Sequence, residues 1–511
     1  MARQLTKLDV VAPGKLGVNR EQRSRILHPN FATKATNFRL SADGVMGVRK
    51  GQTDSTGTPI TATPNVETLH EYIKADASVE TIVAWDGGIG NSIDDPEGND
   101  VSGSLTDANG TWRMQNFNDK CLAFQSGQKL AVYTGTTFAT VVEGSGTAPS
   151  SGIATCAFGR VWQVDNTDGA NLKYSGLLDE TDWGGSGAGS IDFSNIWTQG
   201  QDRITAIAGY NGTLVVFGIR HIVIISDGTG SELGLNPANA YVADVIQGTG
   251  CVDQETIQLI GETELVYLSP EGVQSLSRVI QERSNPTKTV SKYVRTELLE
   301  AYRAETAGAI RSTYNSDEGL YLLTFPSDKT YAFDTRWLYQ DEQGDLVAPV
   351  FEWDITPTAL LSKEDGTLLF GGAGEVFTYS GFTDNGTDIA LTFETGWLDF
   401  GEELANVLKI LKRLGFIIFS ADDNNVVLKW WTDFNTNANQ YTKSFSSASS
   451  GAEWNVALWG TSEWGGSAAQ KVFRVPARAT AEYFKIGFSA STSQSFDVQQ
   501  FELIAKIGRL A

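Results

Sequence analysis

Residues 209–230 read GYNGTLVVFGIRHIVIISDGTG. Asn211-Gly212 accepts the positive φ of a tight hairpin turn, and the run from Thr213 is β-branched and aromatic over the length of one strand. After Gly218-Ile219-Arg220 a second such run ends at Ser226, so the stretch predicts two antiparallel strands behind a turn. Related units recur at irregular spacing: KLAVYTGTTFATV from Lys129, TELVYLSPEGVQSLS from Thr263, GLYLLTFPSDKTYAFDT from Gly319 and TLLFGGAGEVFTYSG from Thr367. Turn pairs ahead of Thr recur at Asn109-Gly110, Asp365-Gly366 and Asn385-Gly386, where the N-x-T match reads as a turn and not as a glycosylation acceptor. Radially stacked blades absorb such units because they leave only short, protected sheet edges. The expectation is a mainly β chain with a β-propeller-like body over residues 51–390, although no WD-type repeat is visible to fix a blade number.

Two segments depart from this pattern. SKYVRTELLEAYRAE, from Ser291, places Val294, Leu298 and Tyr302 on one helical face with Ser291 as the N-cap, which predicts a helical insertion near 291–305. From about Leu391 the chain turns Trp-rich, with Trp397, Trp430, Trp431, Trp454, Trp459 and Trp464, and YFKIGFSA from Tyr483 alternates so that Phe484, Ile486 and Phe488 share a face. Residues 391–511 therefore read as a separate β-sandwich-like domain. Trp430 and Trp431 point to opposite faces of a strand, so at most one belongs to a core there and the pair supplies the candidate exposed aromatic.

At 511 residues the chain has room for roughly three units of the usual size. Hydrophobic content of 41% is globular, and neither a secretory pattern at the start nor a run of 18 apolar residues is readable, so a soluble chain without membrane insertion is expected. Cys121, Cys156 and Cys251 are odd in number and far apart, which argues against a disulfide framework; His28, His70 and His221 are too scattered for a His-based zinc site. No cofactor and no metal are expected. The net charge of −22 argues against a nucleic-acid binder, because duplex affinity is dominated by Lys and Arg on phosphates. Residues 1–50 run the other way, with ten Lys/Arg against three Asp/Glu. They read as a basic arm or platform segment that packs with the C-terminal domain and docks on an acidic neighbour through Arg20, Arg23, Arg25 and Lys34. The competing reading is an extended segment folded on its own domain.

Chemistry is hard to find. A nucleophile elbow, a P-loop, an H-E-x-x-H and a Rossmann glycine pattern are absent, and GGSGAGS at Gly184 runs into IDFSNIW instead of a helix. The acidic run Asp94–Asp100 lacks the alternation and distal Glu of a calcium loop and reads as solvated. His221 has no nucleophile beside it and reads as a structural histidine. Catalysis is not expected; the alternative is a carbohydrate-binding or glycan-cleaving propeller, supported only by Trp content and surplus acids. A tail fibre or receptor-binding module is a third option, and the fibrous repeats it would carry are not found.

The opening APGKLGVNREQRSRILHPNFATKATNFRLSADGVMGVRKGQT, from Ala12, holds Gly17-Val18-Asn19, Asn37-Phe38, Gly44 and Arg49-Lys50-Gly51. DETDWGG from Asp179, DRITAIAGYNGTLVVFGIRHIVIIS from Asp202, SPEGVQSLS from Ser269 and TGWLDFGEELANVLKILKRLGFIIFS from Thr395 follow in order. This succession resembles the tail hub, or nozzle, proteins of short-tailed bacteriophages, also called DNA-stabilisation or tail tubular proteins. The resemblance implies a structural virion protein of the phage tail, assembled in the host cytoplasm, with a β-propeller and no catalytic residues. It further implies a homo-hexamer docked under the portal and adaptor rings that retains packaged double-stranded DNA and conducts it during ejection without sequence-specific binding. Whether tail fibres attach is left open. An acidic wall suits such a pipe, since it repels phosphate over about one Debye length, roughly 8 Å at physiological salt.

Overall fold

The computed structural model describes residues 5–507 except 106–110, 198–201, 228–234, 262–263, 278–288, 402–403, 405–406, 421–424 and 445–468. Trp454, Trp459, Trp464 and the Asn109-Gly110 turn lie outside the described residues.

Asn211 and Gly212 both take positive φ, 47° and 72°, the primed turn that matches the twist of Ala206–Tyr210 and Thr213–Phe217 on either side. His221–Ser226 and Tyr241–Gln247 continue the same antiparallel sheet, completing a blade of four strands. Six further small sheets follow this plan. The first holds Val66–Ile73, Val79–Trp85 and Gly88–Gly90, and the second runs from Arg113–Phe117 to Phe138–Thr140. The third runs from Ala154–Ala157 to Gly189–Asp192; the Ala206 sheet is fourth; the fifth holds Gln258–Ile260, Glu264–Ser269 and Gly272–Ser275. The sixth comprises Arg311–Asn315, Leu320–Thr324, Thr330–Asp334 and Val350–Trp353. The seventh holds Ala359–Ser362, Leu368–Gly371 and Val376–Tyr379, and its outer strand, Gln52–Asp54, comes from ahead of the first blade.

The first strand of each sheet is innermost. Val66–Ile73 neighbours both Arg113–Phe117 and Ala359–Ser362, and the succession continues through Ala154–Ala157 to Ala206–Tyr210. Between the fourth and fifth sheets the Gln254 side chain spans the gap, donating to the Ile207 carbonyl at 2.9 Å and accepting its N–H at 2.7 Å. Gln258–Ile260, Arg311–Asn315 and Ala359–Ser362 then close the circle. Among the described residues the body is thus a propeller-like ring of seven blades, sealed by pairing its N-terminal strand into its last blade.

Apart from the hairpin of Tyr339–Gln340 and Leu346–Val347, most of the remaining strands form two packed sheets. One orders Phe38–Leu40, Met46–Val48, Phe496–Ile507, Lys409–Ser420 and Ala469–Ala481, with Leu5–Val11 also paired to Phe496–Ile507 over seven residues. The other orders Ala32–Thr36, Thr387–Thr395, Phe484–Thr492, Asn425–Thr432 and Asn439–Ser444. Rings from both meet between them: Phe38, Phe393, Phe416, Phe488 and Phe501 stand 4.5–6.4 Å apart in edge, stacked and tilted pairs. The sandwich is therefore built from both ends of the chain, and its core is continuous with blades five and six through Val273, Leu323 and Phe333.

The helical insertion starts with a 3-10 turn at Lys292–Val294 and becomes an α-helix over Arg295–Ala304. Ser291 does not cap it, contrary to the sequence expectation. Its hydroxyl accepts the Val273 N–H at 3.0 Å, which ties the helix to the outer described strand of blade five.

Candidate functional site

The motif residues of the N-terminal segment converge on one joint between the sandwich and blades six and seven. Arg49 is fully buried and donates to both carboxylate oxygens of Asp384 at 2.8 and 2.6 Å, to Asn37 Oδ1 at 3.0 Å and to the Lys50 carbonyl at 2.9 Å. Asn37 takes a left-handed backbone, φ 66°, and donates its amide to the Ala390 carbonyl. Phe38 accepts the Trp353 indole N–H on its carbonyl, and Lys50 pairs with Glu318. A Cβ on Gly51 would lie 2.0 Å from the Thr383 carbonyl oxygen, and one on Gly17 would lie 2.4 Å from the Val350 nitrogen, so both positions need glycine for close backbone approach. Trp183 of the DETDWGG stretch is likewise buried at the junction of blades two and three, donating its indole N–H to the Glu180 carbonyl.

The four basic candidates separate into two pairs. Arg20 forms ion pairs with Glu297 of the helix and Glu352 of blade six, and Arg25 lies over the Tyr483 ring and donates to its hydroxyl at 2.7 Å. Both are committed within their own chain. Arg23 and Lys34 are exposed and make no side-chain hydrogen bond or ion pair among the described residues.

Trp430 and Trp431 correct the sequence reading of an exposed aromatic, for both are buried, at 7% and 9%. Trp430 faces the sandwich core. Trp431 faces the other way, but the Lys485 ammonium covers it at 5.0 Å from the ring centroid and Gly487 of the adjacent strand brings its backbone close. A strand paired on both edges can bury both faces when a long amphipathic side chain lies across the outer one.

His221 is buried with Nδ1 2.9 Å from Asp202 Oδ2 and its ring beside Trp197. Burial alone would raise the Asp202 carboxyl; hydrogen bonds from His221 and from the amides of Arg220, Arg203 and Ile219 outweigh it and hold the carboxyl low. The acidic loop spends its carboxylates on nearby backbone: Asp95 accepts from Gly98, Asp100 from Ser102 and Glu97 from Thr61. Among the described residues no group of three or more His, Cys, Asp or Glu is placed to hold a metal ion, and no helix is long and apolar enough to cross a membrane. All three cysteines are free.

Sequence reasoning missed the cavity at one mouth of the ring. It measures about 780 Å³ and is walled by the starts of the innermost strands and the loops that precede them. Two links cross it. Arg113 of blade two pairs with Glu255, ahead of blade five, at 2.8 Å, and Arg311 of blade six donates to the Glu67 carbonyl of blade one at 3.2 Å. Arg113 and Arg311 sit on strands too short and polar to stand out by apolar periodicity, and Glu255 lies in a 3-10 turn.

The blade ring makes the chain a β-propeller-bearing protein. No family model and no curated protein matches it. Among solved structures it is similar to the extracellular domain of BT4673 from B. thetaiotaomicron, at 10% identity and TM-score 0.40, covering 85% of this chain and 61% of that one. It is also similar to Kluyveromyces lactis Hsv2, at 8% identity and TM-score 0.33 over 53% of this chain and 81% of that one. The WD40 β-propeller domain of Doa1 overlaps at 8% identity and TM-score 0.32 over 64% and 96%. The ring is defined by the strand pairing of this chain itself.

Proposed function

We propose that this chain is a tail hub, or nozzle, of a short-tailed bacteriophage. It is a structural virion protein that forms a homo-hexameric ring, extends the portal-adaptor channel, retains packaged DNA and conducts it at ejection. The observation that carries the reading is the joint: Gly17, Asn37, Phe38, Arg49, Lys50 and Gly51, all within the family-like opening, are used to fix the sandwich against blades six and seven. Such residues specify an architecture and not a ligand, as expected where a family shares a shape and no reaction. The path of the duplex then lies between copies, because Arg113–Glu255 and Arg311 cross the channel within each blade ring. A heterologous contact that closes on itself generates such a ring, and the −22 charge of the chain suits a wall that DNA must slide past.

In this reading Arg23 and Lys34 supply the contact with an acidic neighbour. The double variant Arg23→Glu/Lys34→Glu is expected to keep its thermal midpoint, because neither side chain has a partner among the described residues to lose, and to weaken association with the portal-adaptor complex in co-sedimentation. Association at the level of the unaltered protein would remove these two residues from the interface. A chain that remains monomeric and ignores the complex would return it to the glycan-binding alternative.

A further inference from the structure

The first sandwich sheet turns one face away from its core. Lys7, Ile504, Arg413 and Pro476 lie side by side across Leu5–Val11, Phe496–Ile507, Lys409–Ser420 and Ala469–Ala481, and so do Val11, Gln500, Ile417 and Val472. The period of two puts them on the side opposite Leu503, Leu414 and Val475, which are buried. Leu5, Val11 and Val472 are 62%, 62% and 58% exposed, so this face keeps apolar side chains in water.

Its charge runs against that of the chain. Lys7, Lys412, Arg413, Arg474, Arg478 and Lys506 stand on it against Asp9 and Glu502, a surplus of four cations in a chain of net −22. Lys7 and Arg474 take up the two carboxylates. Lys412, Arg413, Arg478 and Lys506 form no ion pair and no side-chain hydrogen bond among the described residues. A bulge, at which Lys412 is skipped in both pairings of its strand, leaves Lys412 and Arg413 adjacent and both exposed. Unpaired cations side by side repel, and an acidic surface laid against them relieves the repulsion. Phosphates would answer the charge but leave the valines and the leucine wet; a protein surface with acids around an apolar tip answers both.

This chain carries such a tip. Between the third and fourth strands of blade three, Gly176 and Asp179 bridge across a two-residue turn formed by Leu177 and Leu178, 44% and 50% exposed. Leu178 takes φ 54°, a left-handed backbone that turns ordinarily give to glycine or asparagine and that leucine holds only under strain. Asn118 of blade two fixes it there by donating to the Leu178 carbonyl at 3.2 Å. Asp119 and Asp179, the chain neighbours of Asn118 and Leu178, are exposed and form no ion pair among the described residues; each accepts a backbone N–H and keeps its charge.

We propose that the outer face of the sandwich sheet receives the Leu177–Leu178 turn of a second copy of this chain, its apolar side chains covering the two leucines while Lys412, Arg413, Arg478 and Lys506 face Asp119 and Asp179. The contact joins two different surfaces, so it repeats from copy to copy, as a ring requires. It rests on the reading above only in that copies of this chain associate; it needs neither adaptor nor DNA.

The test measures the mass of the full-length chain in solution, alone and with the portal-adaptor complex, and then couples carboxylates to amines by zero-length carbodiimide in a mixture of unlabelled and heavy-isotope-labelled chains. Mixed-isotope cross-links from Lys412 or Lys506 to Asp119 or Asp179 are expected. Lys412→Glu/Arg413→Glu and Leu177→Asp are each expected to weaken association about tenfold or more. Both are expected to keep the thermal midpoint, because the altered side chains are exposed, so lost association is not lost folding. Association of both variants at the level of the unaltered protein would overturn the proposal and leave the nozzle reading standing. Chains that cross-link as expected but ignore the complex would support the contact and remove the nozzle reading. Mixed-isotope cross-links that avoid Asp119 and Asp179, or a chain monomeric both alone and with the complex, would overturn the proposal. Capture of a labelled DNA duplex, lost in Lys412→Glu/Arg413→Glu while self-association is kept, would overturn it in favour of a nucleic-acid face.

Discussion

Arg49 is the residue on which the joint turns. Its guanidinium, removed from solvent, is held by Asp384, Asn37 and a carbonyl while Trp353 lies beside it at 6.0 Å from the ring centroid. Arg49→Met leaves the Asp384 carboxylate without its donor and Asn37 Oδ1 with the Asp354 N–H alone, and is expected to cost about 3–5 kcal/mol, read as a lower urea midpoint. Two carboxyls give opposite pH signatures. Asp253 is raised, first by burial and then by the Glu255 carboxylate, so above its folded value it carries a penalty that the unfolded chain does not. Asp253→Asn can still accept the Glu255 N–H and is expected to raise the thermal midpoint at pH 7, the gain vanishing below about pH 3.9, where both states hold the proton. Asp202 is lowered, so its contribution is present at neutral pH and fades as pH falls through the folded value. The residues of the joint were visible in the sequence as motifs, but their role was not. Arg49 and Asp384 are far apart in the chain, and nothing local to either announces the pair.

At the scale of elements, the sequence revealed the strands that are apolar and hid those that are not. The runs from Thr213, Thr263, Gly319 and Thr367 are each found as two neighbouring strands of one blade. The innermost strands Arg113–Phe117 and Arg311–Asn315 start on cavity-lining polar residues, and Gln258–Ile260 is only three residues long, so periodicity could not find them. The closing strand is equally inconspicuous. Thr53 of Gln52–Asp54 lies opposite Thr378, between the Gly51–Ser380 and Ser55–Val376 hydrogen bonds, at a position that donates to the last blade. Thr53→Pro removes that donor and is expected to cost about 3 kcal/mol. Hydrogen exchange should then quicken first in Val376–Tyr379 and in Val66–Ile73 across the seam. Unchanged protection there would mean that the ring does not depend on this strand. Trp430 and Trp431 show the opposite limit: alternation places them on two faces, while the Lys485 stem that covers the outer one comes from another strand.

For the whole molecule, composition carried the argument about charge but not about geometry. The net charge of −22 was legible in the composition, while the side-chain links across the blade channel were not. In the proposed reading those links make the propeller a wall element, with the conduit in the space enclosed by several copies. The account therefore stands on assembly. The most direct measurement is electron cryo-microscopy of the purified chain mixed with its portal-adaptor complex, with solution mass measured in parallel. The account predicts a closed six-fold ring beneath the adaptor, its wide lumen on the symmetry axis and outside each blade ring. A stable monomer that does not join the complex, or a duplex threaded through the Arg113–Glu255 channel, would contradict it.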